Sequence, residues 1–203
     1  TIKMDSNFWN ARYKEEEYAY GTKPNDFLKS HILILKPHAK VLCLAEGEGR
    51  NAVFISENNH DVTAIDYSQE GLNKLNALAK EKDISIKTIC ADLSDYKIEP
   101  NTWDAIICIF GHFPPQLRKS VFSQVYSGLT KDGVLLLEAY HKDQITYKTG
   151  GPQVSDLLYS AEELQHDFSE FENISIETQI KYIEEGKYHK GTSAVIQVIA
   201  HKI

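Results

Sequence analysis

The segment Glu46-Gly47-Glu48-Gly49-Arg50-Asn51 follows an apolar run, Val41–Ala45, and opens a stretch with helical spacing. Two glycines spaced by one residue let the backbone pass close to a ligand, and a helix start offers unpaired N–H donors. Asp66 ends the next apolar run, about 20 residues on, where a carboxylate can accept both hydroxyls of a ribose. The pattern predicts a nucleotide-binding crevice. Gly47, Gly49, Arg50 and Asn51 form one side of it, and Asp66, Tyr67 and Ser68 the other.

The spacing Gly47-x-Gly49-x-x-Ala52 also satisfies the dinucleotide fingerprint, so charge has to discriminate. A pyrophosphate at this turn would meet Glu46 and Glu48, and like charges at close range are costly. S-adenosylmethionine carries a sulfonium and an ammonium instead, which nearby carboxylates favour. On this reading Glu46 faces the ammonium group. Asp92, in Ala91-Asp92-Leu93 after a third extended run, either accepts from the adenine amino group or forms a turn. Ala91, Leu93 and Ile109 are placed beside it against the cofactor.

Ile109-Phe110-Gly111-His112-Phe113-Pro114-Pro115 lies at the end of a fourth run, where substrates sit in open α/β sheets. Its Pro-Pro pair does not match the Asp/Asn-Pro-Pro-aromatic loop of amino-group methyltransferases, because the polar residue is displaced and no aromatic residue follows; Pro114 and Pro115 read instead as the start of the next helix. His112 is a candidate general base, or else a capping or packing residue. Tyr20 and Tyr140 are further catalytic candidates, with His141 and His189 also near strand ends or loops. Trp9 and Tyr13 either stack on the ligand or pin the N-terminal segment to the core.

The elements that position these residues alternate. Lys40–Ala45, Asp61–Asp66, Ile84–Cys90, Trp103–Phe110 and Val134–Ala139 read as strands, and Arg50–Asn59, a stretch capped by Ser68, and Pro115–Leu129 read as helices. This predicts crossover units on a parallel sheet. Ser160 and Glu163 form a capping box for a helix over Ala161–His166. Asn173–Ile183 and Ser193–Ala200 follow as two extended segments with no helix between them, which predicts an antiparallel pair at the end of the sheet.

The 203 residues suit one domain, 42% hydrophobic and 25% charged, with a net charge of −7. No basic stripe suggests nucleic acid, and no apolar run approaches the roughly 20 residues that span a bilayer. The expectation is a cytoplasmic protein, a monomer or homodimer, with no nucleic-acid, membrane or metal partner. Cys43, Cys90 and Cys108 each fall in a run of buried-strand type and read as reduced thiols packed as small hydrophobes.

The order of the glycine loop, Asp66, Ala91-Asp92-Leu93, Trp103-Asp104-Ala105-Ile106-Ile107 and Leu129-Thr-Lys-Asp132-Gly133-Val134-Leu-Leu-Leu-Glu138 resembles the motif series of class I methyltransferases. Within that class the chain is most similar to small bacterial enzymes related to tellurite-resistance and thiopurine methyltransferases. Phe8-Trp9-Asn-Ala-Arg12-Tyr13 and Tyr20-Gly21-x-x-Pro24-Asn25-x-Leu28 resemble the segment that closes over the cofactor in those relatives. The resemblance implies a single doubly wound, Rossmann-like domain with a seven-stranded, mostly parallel sheet whose last strand is antiparallel. It implies that residues 1–30 cover the cofactor site and that 31–203 form the methyltransferase domain. It also implies that Gly47 and Gly49 approach the methionine part, Asp66 the ribose and Asp92 the adenine, with Trp9, Arg12 and Tyr13 covering them. The chain departs from the pattern at Cys43 and Ala45, where relatives usually carry an acid and a glycine.

The function expected is methyl transfer from S-adenosylmethionine to a small molecule, leaving S-adenosylhomocysteine. A thiol or selenol acceptor would need little help from a base. Two other readings stand beside it: a non-catalytic binder of the same cofactor, and a nicotinamide-dependent oxidoreductase. The latter lacks its Tyr-x-x-x-Lys pair, since Tyr140-His-Lys-Asp-Gln144 has the wrong spacing.

Overall fold

The computed structural model describes residues 4–203. Seven strands form one sheet in the order β3-β2-β1-β4-β5-β7-β6. The strands β1 (Lys40–Leu44), β2 (Asp61–Asp66), β3 (Lys87–Cys90), β4 (Trp103–Ile109) and β5 (Leu129–Tyr140) run parallel. Strand β7 (His189–His201) is antiparallel to both β5 and β6 (Asn173–Glu185). The chain reverses its order of strands between β1 and β4. This is the crevice in which open α/β sheets bind their ligands.

The central strands are apolar on both faces because helices or loops cover both. On one face Val41, Cys43, Ala64, Ala105 and Ile107 pack against Ala52 and Ile55 of α3 (Arg50–Glu57) and Leu72 and Leu75 of α4 (Gln69–Glu81). On the other, Leu42, Leu44, Ile106, Leu135 and Leu137 pack against Val121 and Phe122 of α5 (Pro115–Phe122), Val125 of α6 (Val125–Gly128) and Leu164 of α7 (Ala161–Asp167). The expected capping box is formed: Ser160 accepts from the Glu163 amide, and the Glu163 side chain accepts from the Ser160 amide, both at 3.2 Å.

Three expectations need correcting. The third strand is shorter than Ile84–Cys90, because Ile84 turns back to donate its amide to Ala79 and packs beside Leu78. The helix expected over Pro115–Leu129 breaks at Ser123–Gln124, where the Gln124 side chain accepts from the Ile98 amide at 3.0 Å. Cys90 is exposed rather than buried, since β3 is the outer strand; Cys43 and Cys108 are buried, and burial pushes both thiols up, Cys108 to about 12.

The N-terminal part carries α1 (Ser6–Tyr13), which packs against α4, and α2 (Asp26–His31). Asp5 caps α1 by accepting from the Phe8 amide. Residues 1–3 of the segment expected to cover the cofactor lie outside the described residues. Among the described residues, no helix is long and apolar enough to cross a membrane.

Candidate active site

The glycine loop joins β1 to α3 at the C-terminal edge of the sheet. Gly49 takes a left-handed φ of +89° and serves as N-cap of α3, and a Cβ there would meet Leu75 at 2.3 Å, so only glycine lets α3 and α4 approach this closely. Having no side chain, Gly49 cannot cap the helix itself. Glu46 does so, its Oε1 accepting from the Ala52 amide at 2.6 Å. The carboxylate expected to face an ammonium group is thus also tied to the backbone of α3. Ala45, standing where relatives have glycine, is itself left-handed, with φ +51°.

Asp66 closes the other side. Its Oδ2 accepts from the Gly47 amide at 2.8 Å and its Oδ1 from the Ser68 amide at 2.9 Å, so the end of β2 fixes the loop that leaves β1. A carboxylate has about four acceptor positions, and two remain for a ligand. Burial pushes Asp66 up to about 6 and Glu46 to about 7, against the pull of the backbone amides. Two buried acids with disfavoured charge form a site short of positive charge.

Helix α1 lies directly over this loop. A Cβ on Gly47 would meet the Tyr13 hydroxyl oxygen at 2.7 Å, and one on Gly71 would meet Tyr13 Cδ2 at 2.9 Å. Trp9 stacks on Tyr13 with ring centres 5.6 Å apart, while Tyr67 donates to the Met4 carbonyl and Ser68 Oγ to Asn10 Oδ1. Trp9, Tyr13, Gly47, Asp66, Tyr67 and Ser68 are therefore brought together at this edge of the sheet. Asp92 is exposed and accepts from the Ser94 amide at 2.9 Å, a turn-forming role. Ala91 donates its amide to the Asp66 carbonyl, whereas Leu93 and Ile109 are packed in the core.

At the ends of β4 and β5 a second group gathers. Phe110, with φ +52°, sets its ring 4.7 Å from Tyr140 and 4.8 Å from His189, and Tyr20 lies 4.4 Å from His189. Arg12 belongs to this group rather than to the glycine loop: its Nη1 donates to the Tyr20 hydroxyl at 2.9 Å, and its guanidinium stacks 4.0 Å over Tyr188. Beneath lies a polar network that sequence reasoning missed. Asn25 Nδ2 donates to Glu138 Oε1 at 2.9 Å and Glu185 Oε1 at 2.7 Å, and Arg50 pairs with Glu185 at 2.9 Å. Lys181 pairs with the fully buried Glu138 at 2.8 Å, and Gln197 also donates to it. Asn51 accepts from the Asn25 amide, so it holds the N-terminal segment rather than a ligand. A signal existed: Glu138 interrupts an otherwise apolar strand, and a buried acid requires partners.

His112 does not fit the role of base. Its Nδ1 lies 2.7 Å from the Leu157 carbonyl and its Nε2 accepts from the Tyr140 amide, so neither ring nitrogen keeps a free lone pair. Burial lowers it to about 4. It is a packing residue that joins β5 to the loop before α7. His141 accepts from the Asp143 amide and caps the turn after β5.

Residues 41–133 match the methyltransferase domain family. The solved structure of TehB from Haemophilus influenzae superposes with a TM-score of 0.72 at 18% identity, over 98% of this chain and 67% of that one. The family match covers under half of the chain, and the superposition shows a shared fold. Among curated relatives, a glycine/sarcosine N-methyltransferase of Aphanothece halophytica is 32% identical over 56% of this chain and 46% of its own length. A probable S-adenosylmethionine-dependent methyltransferase, TehB of Haemophilus influenzae, is 32% identical over 36% of this chain and 25% of its own. The chain thus spans about half, or less, of the curated relatives it matches. The residues present fit a cationic cofactor, because Glu46 and Asp66 form the electron-rich cradle it needs.

Proposed function

We propose that this protein is a methyltransferase that binds S-adenosylmethionine at the C-terminal edge of β1 and β2, and that its acceptor is a small molecule. The pair of buried carboxylates carries the reading. Glu46 and Asp66 both have their charged forms disfavoured by burial, and a bound cation reverses that cost, whereas a pyrophosphate would add to it. When bound, the cofactor supplies a methyl group already activated on a sulfonium.

The chain's own residues then align and exclude water. Asp66 offers its two remaining acceptor positions to the ribose hydroxyls. Gly47 lets the backbone come close, with Trp9 and Tyr13 of the N-terminal segment as the cover. Phe110, Tyr140, His189 and Tyr20 form the wall against which the acceptor rests. With both His112 nitrogens committed to the backbone, the chain suits an acceptor that arrives with its lone pair free, such as an ionised thiol or selenol. The names of the glycine/sarcosine relatives point to acceptors of similarly small size.

Titration calorimetry with S-adenosylmethionine, S-adenosylhomocysteine and NADH tests this. Micromolar binding of both sulfur nucleotides without NADH is expected. Binding of NADH alone would overturn the cofactor and the activity together.

A further inference from the structure

Four buried side-chain polar atoms lack a hydrogen-bond partner among the described residues, and three of them belong to one cluster: Arg50 Nη1, Tyr140 Oη and His189 Nδ1. Tyr140 and His189 stand edge to face with ring centres 5.1 Å apart, and the Arg50 charge is close enough to act on both. Leaving a buried polar group unpaired is unfavourable, so three together mark a place built for a missing partner.

The charges name the kind of partner. Arg12, Arg50 and Lys181 face this region with Glu138 and Glu185, while the nearby Glu48 is neutralised by Lys74 at 2.6 Å. Burial and the two arginines hold His189 well below its ordinary value, so it is neutral. Burial and the Glu185 carboxylate raise Tyr140, so its hydroxyl stays protonated and can donate. Arg50 pairs with Glu185 and also acts on Glu46, and Lys181 pairs with Glu138, whereas among the described residues Arg12 forms no ion pair with a carboxylate. Arg50 spends one arm on Glu185 and keeps the other free.

The rings of Tyr20, Phe110, Tyr140 and His189 pack on one another around these atoms. Gly150 and Gly151 cover Tyr140, lying so close that a Cβ on Gly151 would come within 2.4 Å of its ring. Beside them the N-terminal segment meets the β6–β7 turn, where Lys187 donates its amide to the Ala19 carbonyl at 3.0 Å.

We infer that this cluster receives the carboxylate of an acceptor with a flat apolar body, Arg50 and Tyr140 supplying the donors. The inference rests on the acceptor lying at this end of the site, as proposed above. Benzoate and benzamide are suitable probes, alike in shape and differing in charge. Ligand-detected NMR titration without methyl donor is expected to give benzoate at least a tenfold lower Kd than benzamide, with Arg50→Gln erasing the difference. Tyr140→Phe, which keeps the ring, is expected to weaken benzoate severalfold and benzamide little. Equal binding of the two probes, or no binding of either, overturns the inference. A parallel S-adenosylhomocysteine titration separates the readings. If it binds while benzoate does not, the carboxylate site alone falls; if benzoate binds while it does not, the cofactor reading falls.

Discussion

The Asp66 carboxylate accepts the Gly47 amide at 2.8 Å, joining the end of one strand to the loop that leaves its neighbour. In the proposed site, ligand residue and scaffold residue are the same side chain. Asp66→Ala is therefore expected to lower stability by about 2–4 kcal/mol, through two lost charge-assisted backbone bonds, and to weaken S-adenosylhomocysteine binding at least tenfold. Thermal unfolding and calorimetry read the two effects separately. A folded variant with unchanged affinity would remove Asp66 from the site.

Stability and affinity should respond to pH in opposite directions. Glu46 and Asp66 are raised to about 7 and about 6 from ordinary values of 4.5 and 3.8. Between those limits the folded state binds more protons than the unfolded one, so stability falls as pH rises from about 4 to about 7. A cationic ligand favours the ionised acids, so cofactor affinity is expected to climb over pH 6–8. Urea midpoints and titrations at pH 5.5 and 8 check both slopes, and Glu46→Gln should flatten each.

His112→Phe keeps a ring beside Tyr140 but strands the Tyr140 amide and the Leu157 carbonyl. The expected cost is about 2–4 kcal/mol of stability. Turnover per folded molecule should fall far less than the roughly hundredfold loss that removing a general base brings. A hundredfold drop in kcat with unaltered Tm would restore His112 as a base.

Ala45 holds a left-handed backbone that costs a side chain about 1–2 kcal/mol and costs glycine nothing. Ala45→Gly is expected to raise stability by about 1 kcal/mol, visible as a higher Tm. A lower Tm would mean that the alanine methyl, which touches the large core cluster, matters more than the strain.

Local patterns made much of this architecture legible. Continuous apolar runs located β1, β2 and β4, and the Ser160–Glu163 spacing located the start of α7. Boundaries failed where one distant contact decided them, as at Gln124, whose side chain reaches back to Ile98. The glycine loop and Asp66 were readable because their spacing is local. The acceptor end was not, since it depends on Asn25 and Arg50 meeting Glu185, residues separated by most of the chain. Asn25 and Glu138 stood in recognisable motifs, but nothing local paired them.

The outer position of β3 has a practical consequence. Cys90 sits opposite Asp66 in the strand register, and its thiol is the one exposed among three, the other two being buried and held protonated. A maleimide dye on the native chain would therefore attach with a stoichiometry of one, a single strand away from the proposed ribose contact. The wild-type sequence thus carries its own address for a fluorescent reporter, and cofactor occupancy can be followed without engineering a cysteine.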